Sequence, residues 1–295
     1  MSTSRTTQPT TGRGGSMKRT RRWQTALHYL ILTVVALFFF LPVYYLIVGS
    51  FRPSSEVLSG LSGFVPSNLS FDNYTGVFEH LNSDATGYFG QFAAVSIVVT
   101  TAVVAGSLIV NSMAAYSFAR MKWRGRKVLF LLVIILTIIP FEAVALPLYY
   151  MFSGQRDTIV IQAIPFIANA FSIFLFYTFF LDVPGEIEEA ARLDGAGPFR
   201  TFFQVIVPIT KPAFATVAIL TFLAQWGSYL WPVLMVSDAT VRPLPLAIGI
   251  FQNQQPPEWG QVLAFGTMFI VPVLAVFLIF QRWFVASISS SAIKG

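Results

Sequence analysis

Six long apolar runs, separated by polar or charged segments, dominate this chain of 295 residues. Apolar residues make up 55% of the sequence and charged residues 11%, whereas soluble domains carry about 25% charged residues. A run of about 20 apolar residues can cross the hydrocarbon core of a bilayer as a helix. The sequence therefore predicts an all-α integral membrane protein with six transmembrane helices. The predicted spans cover about 27–48, 92–118, 128–152, 159–181, 212–236 and 262–280.

The basic residues indicate how these helices are oriented. Residues 1–25 contain Lys and Arg but no acidic residue, which predicts a disordered cytoplasmic tail ahead of a transmembrane domain over 26–295. A second basic cluster lies at 120–127, whereas 51–91 has an excess of acidic residues. Since cytoplasmic loops are rich in Lys and Arg, we expect both termini in the cytoplasm and the chain in a bacterial-type plasma membrane. A cleaved twin-arginine signal is disfavoured, because no small-residue cleavage site follows the first run.

Composition also excludes several classes of site. The chain has no cysteine, which rules out disulfides, thiolate metal sites and cysteine nucleophiles. It has two histidines, His28 and His80, and no phosphate-binding loop motif. We therefore expect no catalytic residue, no metal and no cofactor bound by this chain. The basic residues flank apolar runs, so the net charge of +6 does not indicate nucleic-acid binding.

A charged segment at 183–208, VPGEIEEAARLDGAGPFRTFFQVIVP, interrupts the apolar pattern within a predicted cytoplasmic loop over 182–211. Pro184 suits the first turn of a helix, and Gly195 would end it. On a helical wheel the apolar residues Ile187, Ala190 and Ala191 share one face, opposite Glu188, Glu189 and Arg192. A short helix with so small an apolar face requires a groove on a partner protein.

The same segment resembles the cytoplasmic loop of permease subunits of ABC importers. It carries Glu189-Ala190-Ala191, then Gly195, then Val205, Val207 and Pro208, with valines at two positions where the family has Ile and Leu. The resemblance implies a coupling helix that docks into the ATPase subunit; the alternative is an ordinary interfacial helix. The implied coupling residues are Glu188, Glu189, Ala190, Ala191, Leu193, Asp194, Gly195 and Pro208.

Further stretches are similar to the carbohydrate-uptake, maltose-type branch of that family, namely 115–126, 140–150 and 281–295. The resemblance implies a type I ABC importer permease fold and the second, six-helix permease of a pair. The implied partners are a second permease subunit in a heterodimer, an ATPase dimer that binds ATP and Mg, an extracytoplasmic solute-binding protein and the lipid bilayer. The implied solute is a sugar or sugar-related compound. A permease for glycerol phosphate or its diesters, an ion-coupled secondary transporter and an integral-membrane enzyme are the alternatives.

Two further groups of residues are candidates for the solute path and for contact with the binding protein. Glu142 is the one acidic residue within a predicted span; it is either functional or an interfacial, structural carboxylate. The late fifth span offers aromatic and hydrogen-bonding groups suited to sugars, although an aromatic belt is an equal alternative and Gly227 replaces the family's usual Asn. These candidates are Gln225, Trp226, Ser228 and Tyr229. In the predicted external loop, the possible binding-protein contacts are Gln252, Asn253, Gln254 and Gln255, unless this is a plain connection.

Overall fold

Three long helices dominate the computed structural model, which describes residues 14–65, 68–252 and 256–292. They are α1 (Gly14–Ser50), α4 (Phe89–Arg120) and α15 (Trp259–Ala292). Each contains a stretch long and apolar enough to cross a membrane by length and composition. The predicted spans at 27–48, 92–118 and 262–280 fall within these three helices.

The other elements are shorter. The remaining α-helices are α2 (Ser54–Val57), α3 (Asp72–His80), α5 (Arg126–Leu136), α6 (Phe141–Phe152), α7 (Ile159–Ile167), α8 (Ala170–Leu181), α9 (Gly185–Leu193), α10 (Pro198–Thr201), α11 (Val207–Ile209), α12 (Lys211–Trp226), α13 (Leu230–Met235) and α14 (Leu244–Gln252). Strands β1 (Asn82–Ser83) and β2 (Gly87–Tyr88) pair antiparallel. Three-ten turns cover Gly60–Phe64, Ser153–Gln155 and Ala239–Val241, and a π-helical turn covers Phe202–Ile206.

The three remaining predicted spans are not continuous helices. The predicted span 128–152 is replaced by α5 and α6, which meet at 100°. The predicted span 159–181 is replaced by α7 and α8, which meet at 42°. The span predicted at 212–236 divides into α12 and α13, and α12 is itself bent by 80° against the preceding segment Pro198–Ile209. If each of these three bent pairs is one span, the described chain has six.

Proline and the residues beside it account for the sharpest of these bends. Pro140 has ψ 143°, an extended conformation, immediately before α6. Proline has no N–H to donate and moves the preceding residue away from helical geometry, so α5 ends before it. The apolar run continues through this bend, which is why hydropathy alone predicted one span.

Helix α4 lies at the centre of the packing, where it contacts α7, α8 and α12. At its carboxyl end, a cluster of buried aromatic side chains joins α4 to α8 and to the π-helical turn. Tyr116, Phe180 and Phe202 form its centre, with ring centroids 5.1–6.4 Å apart. Such aromatic pairs add stability beyond their buried area, so this end of α4 is firmly attached to its neighbours.

The bend between α7 and α8 is closed by one buried amide. Asn111 of α4 is fully buried; its Nδ2 donates to the Ile167 carbonyl at 3.0 Å, and its Oδ1 accepts from the Asn169 N–H at 3.0 Å. Nδ2 also donates to Ser107 Oγ at 2.7 Å. Backbone groups freed at a helix break are costly in an apolar environment unless they find a partner. A single side chain therefore supplies both of these partners.

Asp157 joins the turn after α6 to the segment that follows α13. Its N–H donates to the Met235 carbonyl at 2.9 Å, and its Oδ1 accepts from the N–H groups of Ser237 and Asp238 at 2.5 and 2.8 Å. These backbone bonds, that of Asp238 first, hold the pKa of the Asp157 carboxyl below its usual range. The residue also has φ +58°, which Asp and Asn tolerate better than most residues.

Replacing Asp157 with alanine is expected to destabilise this connection by about 1–2 kcal/mol, because two backbone N–H groups lose their acceptor and the left-handed backbone becomes strained. Asp157→Asn is the matched control, since one amide oxygen can accept both bonds. Because folding lowers the carboxyl pKa, the wild type should lose its added stability as the pH falls from about 4 through the lower folded value. Thermal unfolding of the purified protein as a function of pH measures both effects. Equal melting temperatures for the Ala and Asn variants would contradict this role.

Candidate functional site

Helix α9 lies in the charged segment, with the start and the stop that the sequence predicts. Pro184 precedes its first residue in an extended conformation, and Gly195 lies just beyond its end with φ +79°. The Gly195 N–H donates to the Arg192 carbonyl at 3.0 Å, and the Ala196 N–H donates to the Ala191 carbonyl at 2.9 Å. This pair of bonds is the Schellman motif, which requires the left-handed conformation that glycine adopts without strain.

The side of α9 that faces away from the rest of the chain is not the apolar face predicted from the helical wheel. Leu193 is 90% exposed, and Glu186, Glu189 and Ala190 are exposed beside it at helical spacing; we call these four residues the exposed face of α9. Glu188 is only 5% exposed. Of the predicted apolar face, Ala190 is therefore exposed, whereas Ile187 and Ala191 are half-buried against the protein. Glu188 was predicted on the opposite, polar side and is instead buried.

A buried ion pair explains why Glu188 points inward. Arg120, the last residue of α4, places Nε 3.2 Å from Glu188 Oε1, and their side chains are 14% and 6% exposed. The Arg120 guanidinium also donates to the carbonyls of Phe180 and Val183 at the end of α8. A cation at a helix carboxyl terminus is favourable, and here it also compensates the buried carboxylate. Arg192 approaches Glu188 from the other side at 3.9 Å, the i,i+4 contact that the sequence predicts.

Arg120 therefore connects the ends of three helices: α4, which carries it, α8, whose carbonyls it binds, and α9, whose carboxylate it neutralises. A cleft of about 760 Å³ opens beside this connection, between α9 and the basic segment after α4. Its lining includes Lys122, Arg126, Lys127 and Glu189. This arrangement presents α9 as a short helix attached on one side and free on the other.

The other predicted coupling residues are distributed around α9. Asp194 and Gly195 are exposed at its carboxyl end, and Ala191 is half-buried against the protein. Pro208 lies in α11, exposed, beyond the π-helical turn that α9 contacts. The structure thus places most of the motif on α9 and its cap, with Pro208 on the next helical segment.

A second cavity, of about 540 Å³, lies between α6, the α7–α8 bend and the α12–α13 turn. Four of the predicted solute-path residues line it together: Glu142, Gln225, Ser228 and Tyr229. The remaining polar lining comes from Asn169, Ser172 and Thr221, and the aromatic lining comes from Phe141, Phe166, Phe171 and Trp231. We call this space the polar cavity. Its volume is in the range of ligand sites in proteins.

Trp226, the fifth predicted solute-path residue, does not line the polar cavity. It is 3% exposed and stacks between Phe222 and Phe269, with ring centroids 5.6 and 5.9 Å away. Its Nε1 donates to the Phe269 carbonyl at 3.1 Å, which attaches α12 to α15. A buried indole needs such an acceptor, and this one lies on the other side of α12.

Asn169 and Trp231 are among the lining residues that were not predicted as site residues. Trp231 is 1% exposed, and its Nε1 donates to the Ile161 carbonyl at 2.8 Å, which fixes the ring in the cavity lining. Asn169 caps α8 by accepting from the Ser172 N–H at 2.9 Å. An asparagine inside an apolar run was the available signal, because this residue type favours helix starts.

The remaining predicted site residues lie elsewhere. Gln252 is exposed at the end of α14, whereas Asn253, Gln254 and Gln255 lie outside the described residues. Within the described part of the chain, no group of three or more His, Asp or Glu side chains is arranged to hold a metal ion.

Comparison with known proteins relates this architecture to transporters. A sequence profile of the family described as "Binding-protein-dependent transport system inner membrane component" matches residues 108–290. The chain is 32% identical over 277 residues to the arabinooligosaccharides transport system permease protein AraQ of Halalkalibacterium halodurans, covering 92% of this chain and 96% of the relative. It is 29% identical over 279 residues to the sn-glycerol-3-phosphate transport system permease protein UgpE of Pectobacterium atrosepticum, covering 93% and 99%.

A solved structure supports the same relationship. The crystal structure of a bacterial ABC transporter involved in the import of the acidic polysaccharide alginate contains a chain that superposes with a TM-score of 0.76 at 25% identity. The superposition covers 94% of this chain and 100% of that one. The relatives are permease subunits and not enzymes, and they reside in the membrane. The chain therefore belongs to the family of inner membrane components of binding-protein-dependent transport systems, as a permease subunit of an ABC importer.

Proposed function

We propose that α9 is the coupling helix of this permease and that its exposed face docks into a groove of the ATPase subunit. The observation that carries the proposal is Leu193, which is 90% exposed on a helix whose opposite side is fixed by the buried Glu188. A large apolar side chain in that position gains most by inserting into a pocket on a partner. Glu189 supplies a polar contact beside it, and the small Ala190 allows close approach.

The proposed topology has six spans with both termini in the cytoplasm, each bent pair counting as one span. Since the basic segment 120–127 follows α4, this end of α4 belongs on the cytoplasmic side. Arg120 contacts α9 directly, so α9 lies on the same side. An ATPase in the cytoplasm would meet the exposed face of α9 there.

The proposed solute is a sugar or sugar-related compound, delivered by an extracytoplasmic binding protein. The relatives support this class, because one is named for arabinooligosaccharides and the alginate transporter for a polysaccharide. Because another relative is named for sn-glycerol-3-phosphate, that compound is the second candidate solute. The segment beginning at Gln252 is the proposed contact with the binding protein.

The proposed assembly pairs this chain with a second permease, and two ATPase subunits bind ATP and Mg. Closure of the ATPase dimer moves α9, and Arg120 passes that movement to α4 and α8. The spans then open the polar cavity to the outside, where the binding protein releases its solute. Hydrolysis of ATP returns the permease to its inward-facing form.

The coupling role is tested by Gly195→Asp, which we expect to abolish ATP-dependent uptake while the protein remains in the membrane. The variant strains the left-handed cap and adds a second carboxylate beside Asp194 at the negative end of α9. Gly197→Asp is the matched control, because Gly197 has φ −73° and precedes α10, where aspartate is a favourable N-cap. Uptake assays and immunoblots of membranes measure both variants.

A bulky replacement of Ala190 should have the same effect as Gly195→Asp, because Ala190 lies in the middle of the exposed face. Normal uptake by both variants would contradict the coupling role. An ion-coupled transporter would instead take up solute without the ATPase, so uptake with and without a co-expressed ATPase separates the two functions.

A further inference from the structure

The lining of the polar cavity contains an acidic side chain but no basic one. Glu142 is the only carboxylic acid among its lining residues, and that lining includes no Lys, Arg or His. Glu142 is exposed toward the cavity and forms no ion pair with any described residue. It lies in the first turn of α6, where the free N–H groups favour a carboxylate. The polar cavity is therefore lined by one carboxyl group and by no basic side chain of the described residues.

The neutral part of the lining consists of amides, hydroxyls and aromatic rings. Gln225, which is 9% exposed, and Ser228 come from the end of α12 and the turn after it, and Tyr229 follows and is 51% exposed. Amide and hydroxyl groups can both donate and accept hydrogen bonds, and carboxylates accept strongly from hydroxyls. Aromatic rings supply an apolar surface for C–H groups. Together these groups match a solute that carries many hydroxyls on a ring.

We propose that the polar cavity is a solute-binding site of this permease, selective for neutral, hydroxyl-rich solutes and unfavourable to anions such as phosphates and uronates. The proposal rests on the importer function and narrows its solute class. Glu142 is the specificity-determining residue, because it repels anions and accepts hydrogen bonds from hydroxyls. Gln225, Ser228 and Tyr229 supply the other polar contacts.

A single cysteine tests this proposal directly, because the chain has none of its own. In the assembled importer, Ser228→Cys places the only permease thiol of this subunit in the cavity. We expect a cationic methanethiosulfonate to label it about tenfold faster than an anionic one, relative to a free thiol, because a carboxylate within the cavity attracts the cation and repels the anion. Adding Glu142→Gln should return the ratio to that of the free thiol. A ratio that Glu142→Gln does not change would overturn the assignment of Glu142.

Protection of the same cysteine tests the solute class. Arabinotriose should slow labelling by an uncharged methanethiosulfonate at least threefold, whereas sn-glycerol 3-phosphate and an alginate trisaccharide at equal concentration should leave the rate unchanged. Glu142→Gln should reduce this discrimination. Protection by either anion, or by none of the three compounds, would overturn the proposed selectivity.

These outcomes are distinguishable from failure of the importer function. If the coupling-helix variants abolish uptake but the labelling ratio is insensitive to Glu142, the importer function stands and the cavity proposal fails. If the labelling results are as expected while uptake proceeds without an ATPase, the cavity stands and the coupling role fails.

Discussion

Replacing Leu193 with aspartate is expected to abolish ATP-dependent uptake by separating the permease from its ATPase. Leu193 is 90% exposed in the permease alone and is the large apolar side chain of the proposed docking surface, at the carboxyl end of α9. Residues that fill a partner's pocket commonly contribute about 2 kcal/mol or more, so we expect binding to weaken by roughly 30-fold or more. An unpaired carboxylate buried in the same pocket adds a desolvation cost.

Leu193→Met is the matched control, since methionine conserves volume and apolar character and should retain most of the activity. Affinity of the purified permease complex for the ATPase, measured by surface-immobilised binding, gives the effect directly. The melting temperature of the isolated permease should be unchanged, because Leu193 contacts little of its own chain. If Leu193→Asp binds the ATPase as tightly as the wild type, the exposed face of α9 is not the docking surface.

Removing the Arg120 side chain is expected to produce the largest loss of stability among single substitutions around α9. Arg120→Ala leaves Glu188 buried without its charge partner and frees the carbonyls of Phe180 and Val183. Breaking a buried pair in this way costs about 3–5 kcal/mol. Because the guanidinium binds several acceptors in fixed directions, Arg120→Lys should recover only part of the loss.

Arg124→Ala provides the comparison, because Arg124 is exposed in the same basic segment and such positions usually change stability little. Thermal unfolding of the detergent-purified permease reports the difference. A second readout separates the transmission of movement from α9 to α4 and α8 from an effect on folding stability alone. In Arg120→Lys, the number of ATP molecules hydrolysed per solute transported should rise even at temperatures where the complex remains assembled. An unchanged ratio, together with an unchanged melting temperature, would contradict the role assigned to Arg120.

The boundaries of α9 and four of the residues that line the polar cavity could be predicted from sequence because their signals are local. Pro184 and Gly195 act through their own backbone conformations. Glu142 lies just after Pro140, and Gln225 and Ser228 lie at the polar end of α12. In transporters, polar groups beside helix breaks commonly line the solute site.

The orientation of Glu188 and the burial of Trp226 could not be predicted in the same way. Both depend on partners distant in the sequence: Arg120 for the carboxylate and the Phe269 carbonyl for the indole. A helical wheel ranks residues by polarity and therefore places Glu188 outward. Similarly, hydropathy is unaffected by a bend, so one apolar run is equally compatible with a straight span and with two helices that meet at 100°.

Asn111 also determines which part of the permease can move. A bend acts as a hinge only if its free backbone groups can exchange partners at low cost, and here the Ile167 carbonyl and the Asn169 N–H are both held by one buried side chain. Straightening α7 onto α8 would break both bonds and leave the Asn111 amide without these partners in the interior. We therefore expect α4, α7 and α8 to keep their arrangement and to move together when the permease opens and closes.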